Sequence, residues 1–271
     1  MSRINPRLHH IILLGFFLMI CQEGHSQNQL IKIKEWSTPE ITSLSIDRIG
    51  DFFLIHKKGG ITKYDPDGNM VASLPKKKPT LIEPWYHPSI FIYERKTQKY
   101  FSFGRYFENV QEHNLAPEFA IEPWLVCPTH DNRLWILDRA DYSLKKVNPL
   151  SHEVINEFKL HTESSTPEFT DLKEYQNLLF LQEKNGGIWI VNTLGNLITK
   201  IEMENPGNFS FFGQQLYYLE NNTIKFFNLL TEEREEIPLT GEMKFALVTD
   251  ERILTVSTSN QVSLYNFTPQ N

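Results

Sequence analysis

Only two cysteines occur in the 271 residues, and one of them, Cys21, lies in a segment expected to be removed. The other, Cys127, then has no partner. That excludes an internal disulfide and leaves an ordinary apolar core to hold the domain together. Cationic charge is also scarce, with 27 Lys and Arg against 33 Asp and Glu. Such a chain carries no general electrostatic footprint for nucleic acid or anionic lipid. Its one basic run, Lys76, Lys77 and Lys78 between Pro75 and Pro79, reads as a solvated turn. Long apolar runs are missing except from Ile11 to Ile20. Ten helical residues rise about 15 Å, roughly half of a bilayer's hydrocarbon core, so no transmembrane span is expected in the mature chain. A Gly-rich phosphate loop, a His pair at zinc spacing and sustained 3.6-residue periodicity are all absent. A P-loop enzyme, a zinc site of that kind and a helical bundle are excluded with them.

Arg3 and Arg7 precede the apolar run and Gly24, His25 and Ser26 follow it, so residues 1–26 are expected to form a cleaved signal peptide. Lipid attachment at Cys21 is the alternative route, although Ile20 stands where bacterial lipoprotein signals carry Gly, Ala or Ser. Cleavage removes two Arg and one Glu, which leaves 25 basic and 32 acidic residues and a net charge of −7. The remaining chain suits one all-β domain over 27–271.

What the sequence does contain is a repeat. Six apolar runs begin at 51, 89, 133, 178, 215 and 252: DFFLI, SIFIY, RLWIL, LLFLQ, QLYYL and RILTV. They centre on Leu54, Phe91, Trp135, Phe180, Tyr217 and Leu254, with spacings of 37, 44, 45, 37 and 37. A shorter apolar piece precedes each run, and two further strand-like segments follow it across polar links. The last unit alone lacks its final segment. This period suits a propeller blade of four strands. Asp65, Asn148, Asn192, Asn228 and Asn266 end the third strand of their units, where such side chains bond the backbone of the next turn. The segment IKIKEW at 31–36 alternates like a half-buried strand but has no hairpin neighbour. The expected architecture is therefore an all-β, six-bladed β-propeller closed by residues 29–36 pairing along 261–267, which hides the open edges.

The stretch GDFFLIHKKGGITKYDPDGNMV resembles the NHL-type repeat, with its Gly-led strand, polar turn, aromatic strand and D-P-x-G turn. RLWILDRADYSLKKVNP is similar, and the other four units match more loosely. The resemblance spans nearly the whole mature chain and implies an NHL-like six-bladed propeller. Families of that shape include protein and nucleic-acid platforms, lyases and metal-dependent lactonases, so the resemblance implies a shape rather than a chemistry. The signal ending in SQNQ, with many aromatic and Asn residues, resembles exported proteins of Bacteroidota. It implies a periplasmic or outer-membrane setting.

IEPW occurs at 82–85 and again at 121–124. Placed in the innermost strands of successive units, the two copies are expected to bring Glu83 and Glu122 toward the channel, with Trp85 and Trp124 beside them. Asp171, in the fourth inner strand, is a third carboxylate. Together they would suit a hard cation such as calcium, the basis of an alternative reading as a lactonase- or lyase-type enzyme. The first, fifth and sixth units offer no carboxylate there, and the leading expectation carries no catalytic residue and no cofactor. Cys127 with His130 and Asp131 suggests a nucleophile and base, yet THDN falls in a turn between strands and reads as structural. Trp36, Tyr106 and Phe107 lie near strand ends or on outer strands, where aromatics anchor protein partners. The expected function is a non-catalytic exported scaffold that binds a protein, such as a subunit of an outer-membrane transport or type 9-like secretion complex. Channel-facing Trp85 and Trp124 suggest sugar binding as a further alternative.

Overall fold

The computed structural model describes residues 30–86, 88–161, 167–203 and 207–267. The expected leader and Cys21 lie outside them. The IKIKEW strand, β1 (Ile31–Ser37), pairs antiparallel with β24 (Gln261–Asn266), from Ile31 opposite Asn266 to Ser37 opposite Gln261. A bulge between Lys32 and Lys34 interrupts the register once. The expected closure is present.

Six four-stranded sheets make the ring. The first blade holds β2 (Ile41–Ile46), β3 (Phe52–His56), β4 (Ile61–Tyr64) and β5 (Met70–Leu74); the second holds β6 (Leu81–Glu83), β7 (Ile90–Glu94), β8 (Lys99–Phe103) and β9 (Gln111–Asn114). The third holds β10 (Pro123–Pro128), β11 (Leu134–Asp138), β12 (Ser143–Asn148) and β13 (Glu153–Lys159). The fourth follows with β14 (Phe169–Tyr175), β15 (Leu178–Glu183), β16 (Gly187–Asn192) and β17 (Leu197–Ile201). The fifth has β18 (Phe209–Phe212), β19 (Gln215–Glu220), β20 (Thr223–Asn228) and β21 (Arg234–Pro238); the sixth has β22 (Met243–Val248), β23 (Arg252–Ser257) and β24, completed by β1.

Strands covered on both faces read as continuous apolar runs, whereas half-covered ones alternate. β11 is buried at every position, while the outer strand β13 alternates between exposed and half-buried residues. The core lies between the blades. Trp135, Tyr93, Tyr217, Phe52 and Phe53 are its largest fully buried side chains. Cys127 sits in the same core, and burial pushes its thiol well up. Iodoacetamide is expected to leave the native thiol unmodified and to label it fully in denaturant, as mass spectrometry would read; rapid native labelling would contradict this placement.

The expected turn chemistry holds in four blades. Asp65 Oδ1 accepts the Asp67 and Asn69 N–H groups at 3.1 and 2.8 Å, and Asn192 Oδ1 accepts those of Leu194 and Asn196 at 3.0 and 2.9 Å. Asn148 and Asn228 do the same for Leu150 and Leu230 at 3.0 and 2.9 Å. Asn266 has a different place, in the sheet opposite both Ile31 and Arg252.

The sixth and third blades lean their outer strands against the next blade's third-to-fourth turn. Lys34 Nζ donates to Gly68 O at 2.8 Å, and Asn156 Nδ2 donates to Thr193 O at 2.7 Å. Trp36 belongs to this seam, with its ring centroid 5.2 Å from that of Tyr64. A Cβ at Gly68, where φ is +72°, would stand 3.1 Å from the indole, so glycine is required both for the turn and for the wedge. The expected anchor Trp36 is a half-buried closure residue, because alternation along β1 turns it toward the first blade.

Candidate functional site

The inner strands β2, β6, β10, β14, β18 and β22 all run the same way along the channel. Their starting ends line a cavity of ≈ 420 Å³ that is rich in hydroxyl and amide groups, including Thr42, Ser43, Thr80 and Asn208, with the Asp171 carboxylate among them. Their finishing ends line a second cavity of ≈ 560 Å³ with Arg48, Trp85, Tyr175, Phe211 and Asp250 on its walls. Between the two, Ser45, Glu83, Lys173, Glu174 and Ser210 close the passage to a narrow cleft.

Lys173 is the centre of that plug. Its Nζ lies 3.6 Å from Glu83 Oε2 and 3.7 Å from Asp171 Oδ2, and the side chain is buried. Burial alone would push the ammonium down, but Asp171 and Glu83 outweigh it and hold the proton firmly. Burial drives Glu83 upward against the pull of Lys173 and the Trp85 N–H, which donates to Glu83 Oε1 at 3.0 Å. Nearby, Tyr217 OH accepts the Val248 N–H at 3.0 Å, and burial pushes its phenol up to about 12.

The second blade reaches across the third at this level. Trp85 packs edge-on to Tyr175 with centroids 5.7 Å apart, and Tyr175 stacks on Phe211 at 4.1 Å. Tyr86 OH donates to Glu174 O at 3.1 Å. Leu125, Val126 and Cys127 of the third inner strand are completely buried in the apolar cluster that holds Trp135 and Leu172.

The structure brings together only two of the three expected metal ligands. Glu83 and Asp171 share one cation, and that cation is Lys173. Glu122 instead precedes β10 at the opposite end of the channel, where it is exposed and 3.5 Å from Arg139. The expected convergence of Glu83 and Glu122 is corrected by register: Glu83 lies opposite Phe91 and Cys127 lies opposite Trp135, so Cys127 is the counterpart of Glu83 in the third blade. With an ammonium already between the carboxylates, this donor set does not fit a calcium ion, which wants several free oxygens.

Trp124 is likewise away from Trp85. The guanidinium carbons of Arg95 and Arg139 lie 3.4 and 4.2 Å from its ring, and its Nε1 donates to Phe169 O at 2.8 Å. The ring is thus held by two guanidinium groups and lines a separate cavity of ≈ 300 Å³ with Tyr142 and Phe169. Phe107 is half-buried against Phe53 and Phe103, whereas its neighbour Tyr106 is 53% exposed.

Sequence reasoning missed the buried lysines. Lys63 is fully buried, 2.8 Å from Asp51 Oδ2 and 3.5 Å from Asp47 Oδ2, and it donates to Arg105 O of the next blade at 3.1 Å. The signal was available: alternation along β4 puts Lys63 on the same face as Ile61. Glu174 was missed as well. Its oxygens are buried without a hydrogen-bond partner among the described residues, and burial pushes its carboxyl up. The exposed imidazole of His130 stands 3.4 Å away. His130 and Asp131 occupy a turn, as expected. Although burial tends to raise Asp131, hydrogen bonds from Thr129, Lys146 and Arg133 hold it well below the usual range. A depressed acid adds stability above its unfolded value, near 3.8, and loses it as pH falls further. Asp131→Asn should therefore cost about 1–2 kcal/mol at neutral pH in urea titrations, with the difference from wild type fading below pH 4.

No family model matches the chain, and no curated protein matches it in sequence. Solved structures do match its fold. A catalytically inactive virginiamycin B lyase from Staphylococcus aureus, crystallised with quinupristin, is similar over 90% of this chain and 82% of its own, with 17% identity and a TM-score of 0.51. The Pan2 WD40 domain of Neurospora crassa covers 91% of this chain and 97% of its own at 7% identity and a TM-score of 0.60. The β-propeller domain of Cps50 (Swd1) from Myceliophteria thermophila covers 88% and 100% at 10% identity and 0.59. At such identities these likenesses establish the propeller fold alone.

Proposed function

We propose that this chain is an exported, non-catalytic propeller of NHL-like type that acts as a protein-binding or scaffold subunit at the bacterial outer membrane. The observation that carries the reading is the plugged channel. Lys173 neutralises the acids that would otherwise serve a bound metal, and carboxylates held by an ammonium in a narrow cleft offer a hard cation too few free oxygens. The outer surface of the ring and the cavities at the two channel ends remain to engage a partner. Export rests on Arg3, Arg7 and the apolar run after them, and the outer-membrane setting on the Bacteroidota-like style of the sequence.

The test is affinity capture of the tagged mature chain from detergent-solubilised outer membranes, with a stoichiometric protein partner expected. A chain that elutes alone as a monomer at every concentration overturns the proposal. Calorimetric titration of calcium is expected to give no heat. Heat that disappears in Glu83→Ala/Asp171→Ala would replace the proposal with the metal-dependent alternative.

A further inference from the structure

Four of the six inner strands bulge at their second residue. The register with the neighbouring strand skips Thr42 in β2, Trp124 in β10, Thr170 in β14 and Lys244 in β22. A bulge re-aims one side chain out of the pleat, and bulges gather beside functional sites. Thr42 and Thr170 belong to blades one and four, which stand opposite in a ring of six. Both are exposed, and both line the cavity of ≈ 420 Å³ at the starting end of the channel. Their hydroxyls are held in the same way: Thr42 Oγ1 donates to Ile55 O at 3.2 Å and Thr170 Oγ1 to Gln182 O at 3.3 Å. With its proton spent on the backbone, each oxygen offers the cavity lone pairs. Asn208 likewise gives its Nδ2 to Ala246 O at 3.0 Å, and its Oδ1 has no hydrogen-bond partner among the described residues. Asp171 brings a carboxylate, a further acceptor. Thr80 differs, since it accepts the Arg95 N–H at 3.0 Å and keeps its own proton. The wall therefore calls chiefly for a ligand that donates.

Charge selects among donors. Asp171 and Lys173 are the charged residues on the cavity wall, and they face each other at 3.7 Å, with Glu83 on the other side of the ammonium. Ahead of β2, β10 and β14, Glu40, Glu122 and Glu168 are paired with Lys57, Arg139 and Lys184. Ahead of β22, Glu242 is off the wall and accepts the Thr258 hydroxyl at 3.5 Å, while Lys244 donates to Ile41 O at 2.7 Å. A cation would find the one wall carboxylate already matched. An anion would meet a wall of acceptors with both ammonium groups engaged. The ligand that fits carries hydroxyl groups and no charge. Apolar patches at Leu44, Leu81 and Phe245 interrupt the polar wall, which suits a molecule with hydroxyl edges and a C–H face. We propose that this cavity binds a small neutral polyol, a sugar or cyclitol, whose hydroxyl groups donate to Thr42, Thr170 and Asp171. The site goes beyond the protein-binding reading and neither needs nor replaces it.

Saturation-transfer NMR tests this with four polyol probes, D-glucose, D-galactose, N-acetyl-D-glucosamine and myo-inositol, and two charged ones, spermidine and citrate. The mature protein is compared with Thr42→Val/Thr170→Val, which keeps the shape and removes both hydroxyls, and with Thr42→Ser/Thr170→Ser, which retains them. Thermal melts verify that each variant folds. At least one polyol is expected to bind saturably, and neither charged probe should displace it. Its affinity should fall at least about tenfold in the Val variant, equivalent to about 1.4 kcal/mol and within the worth of two hydrogen bonds. The Ser variant should bind as wild type does. If the double Val variant does not fold, Thr170→Val is read in its place, with a loss of about threefold expected. Arg48→Ala, on the wall of the cavity at the other end, should leave binding unchanged. The proposal is overturned if no polyol binds, if the Val variant binds as well as wild type, if the loss follows Arg48→Ala instead, or if spermidine or citrate displaces the polyol. Each of those results leaves the protein-binding reading standing, because membrane capture judges that separately.

Discussion

A chain that begins at Thr38 is expected not to unfold cooperatively and to aggregate near neutral pH. The deleted segment carries β1, the only outer strand of the sixth blade. Without it β24 becomes an open edge, and Tyr64 and the first-blade core lose the Trp36 wedge. A buried Trp→Ala change costs about 3–5 kcal/mol, and a half-buried indole falls at the low end. Each lost ladder hydrogen bond adds about 1 kcal/mol. A domain whose total stability is about 5–15 kcal/mol cannot absorb both. Supplying QNQLIKIKEWST as a separate peptide should restore a sharp thermal transition and protect β24 from hydrogen exchange. The same peptide with Ala at the tryptophan should rescue poorly. A truncated chain that melts like the full one would show that the ring does not depend on this seam.

The closure was legible because it follows from counting: five complete repeats, one short by a strand, and one alternating segment left over. Turn chemistry was legible for a similar reason, since Asp65, Asn148, Asn192 and Asn228 act on neighbours within four residues. The channel was not, and IEPW shows why. Glu83 precedes its blade's central residue, Phe91, by eight positions, whereas Glu122 precedes Trp135 by thirteen. Counted from the centre, Cys127 also stands eight before Trp135, and Lys173 stands seven before Phe180. A shared tetrapeptide suggested equivalence, but distance from the central strand decides which residues meet at one level. Trp36 misled in another way. An aromatic at the end of an outer strand looks exposed until the ring is closed and the neighbouring blade's Gly68 is set beneath it. Burial of Lys63 depends on acids in the turn between β2 and β3, and that of Lys173 on Glu83 of another blade as well as on Asp171 of its own strand, which local patterning shows only in part.

Lys173→Met is expected to destabilise the protein by about 3–5 kcal/mol, since it leaves Glu83 buried without its counterion. Glu83→Gln should cost much less, about 1–2 kcal/mol, because an amide oxygen still accepts the Trp85 N–H while Lys173 keeps Asp171. The two changes share a contact and should not add. In urea titrations the double variant is expected to be more stable than Lys173→Met alone, because the uncompensated charge is gone. The pH dependence follows from the same burial. Glu83 has a raised folded-state pKa, so the folded protein holds that proton more tightly than the unfolded chain does. The stability associated with it is present at low pH and lost as pH rises through the raised value. Lys173→Met should therefore be least impaired at mildly acidic pH and worst near neutrality, while Lys173→Met/Glu83→Gln should lack this dependence. A cost below about 1 kcal/mol for Lys173→Met at neutral pH would mean that water reaches the plug and screens its charges. The channel would then be an open passage, and the argument for a non-catalytic ring would lose its footing.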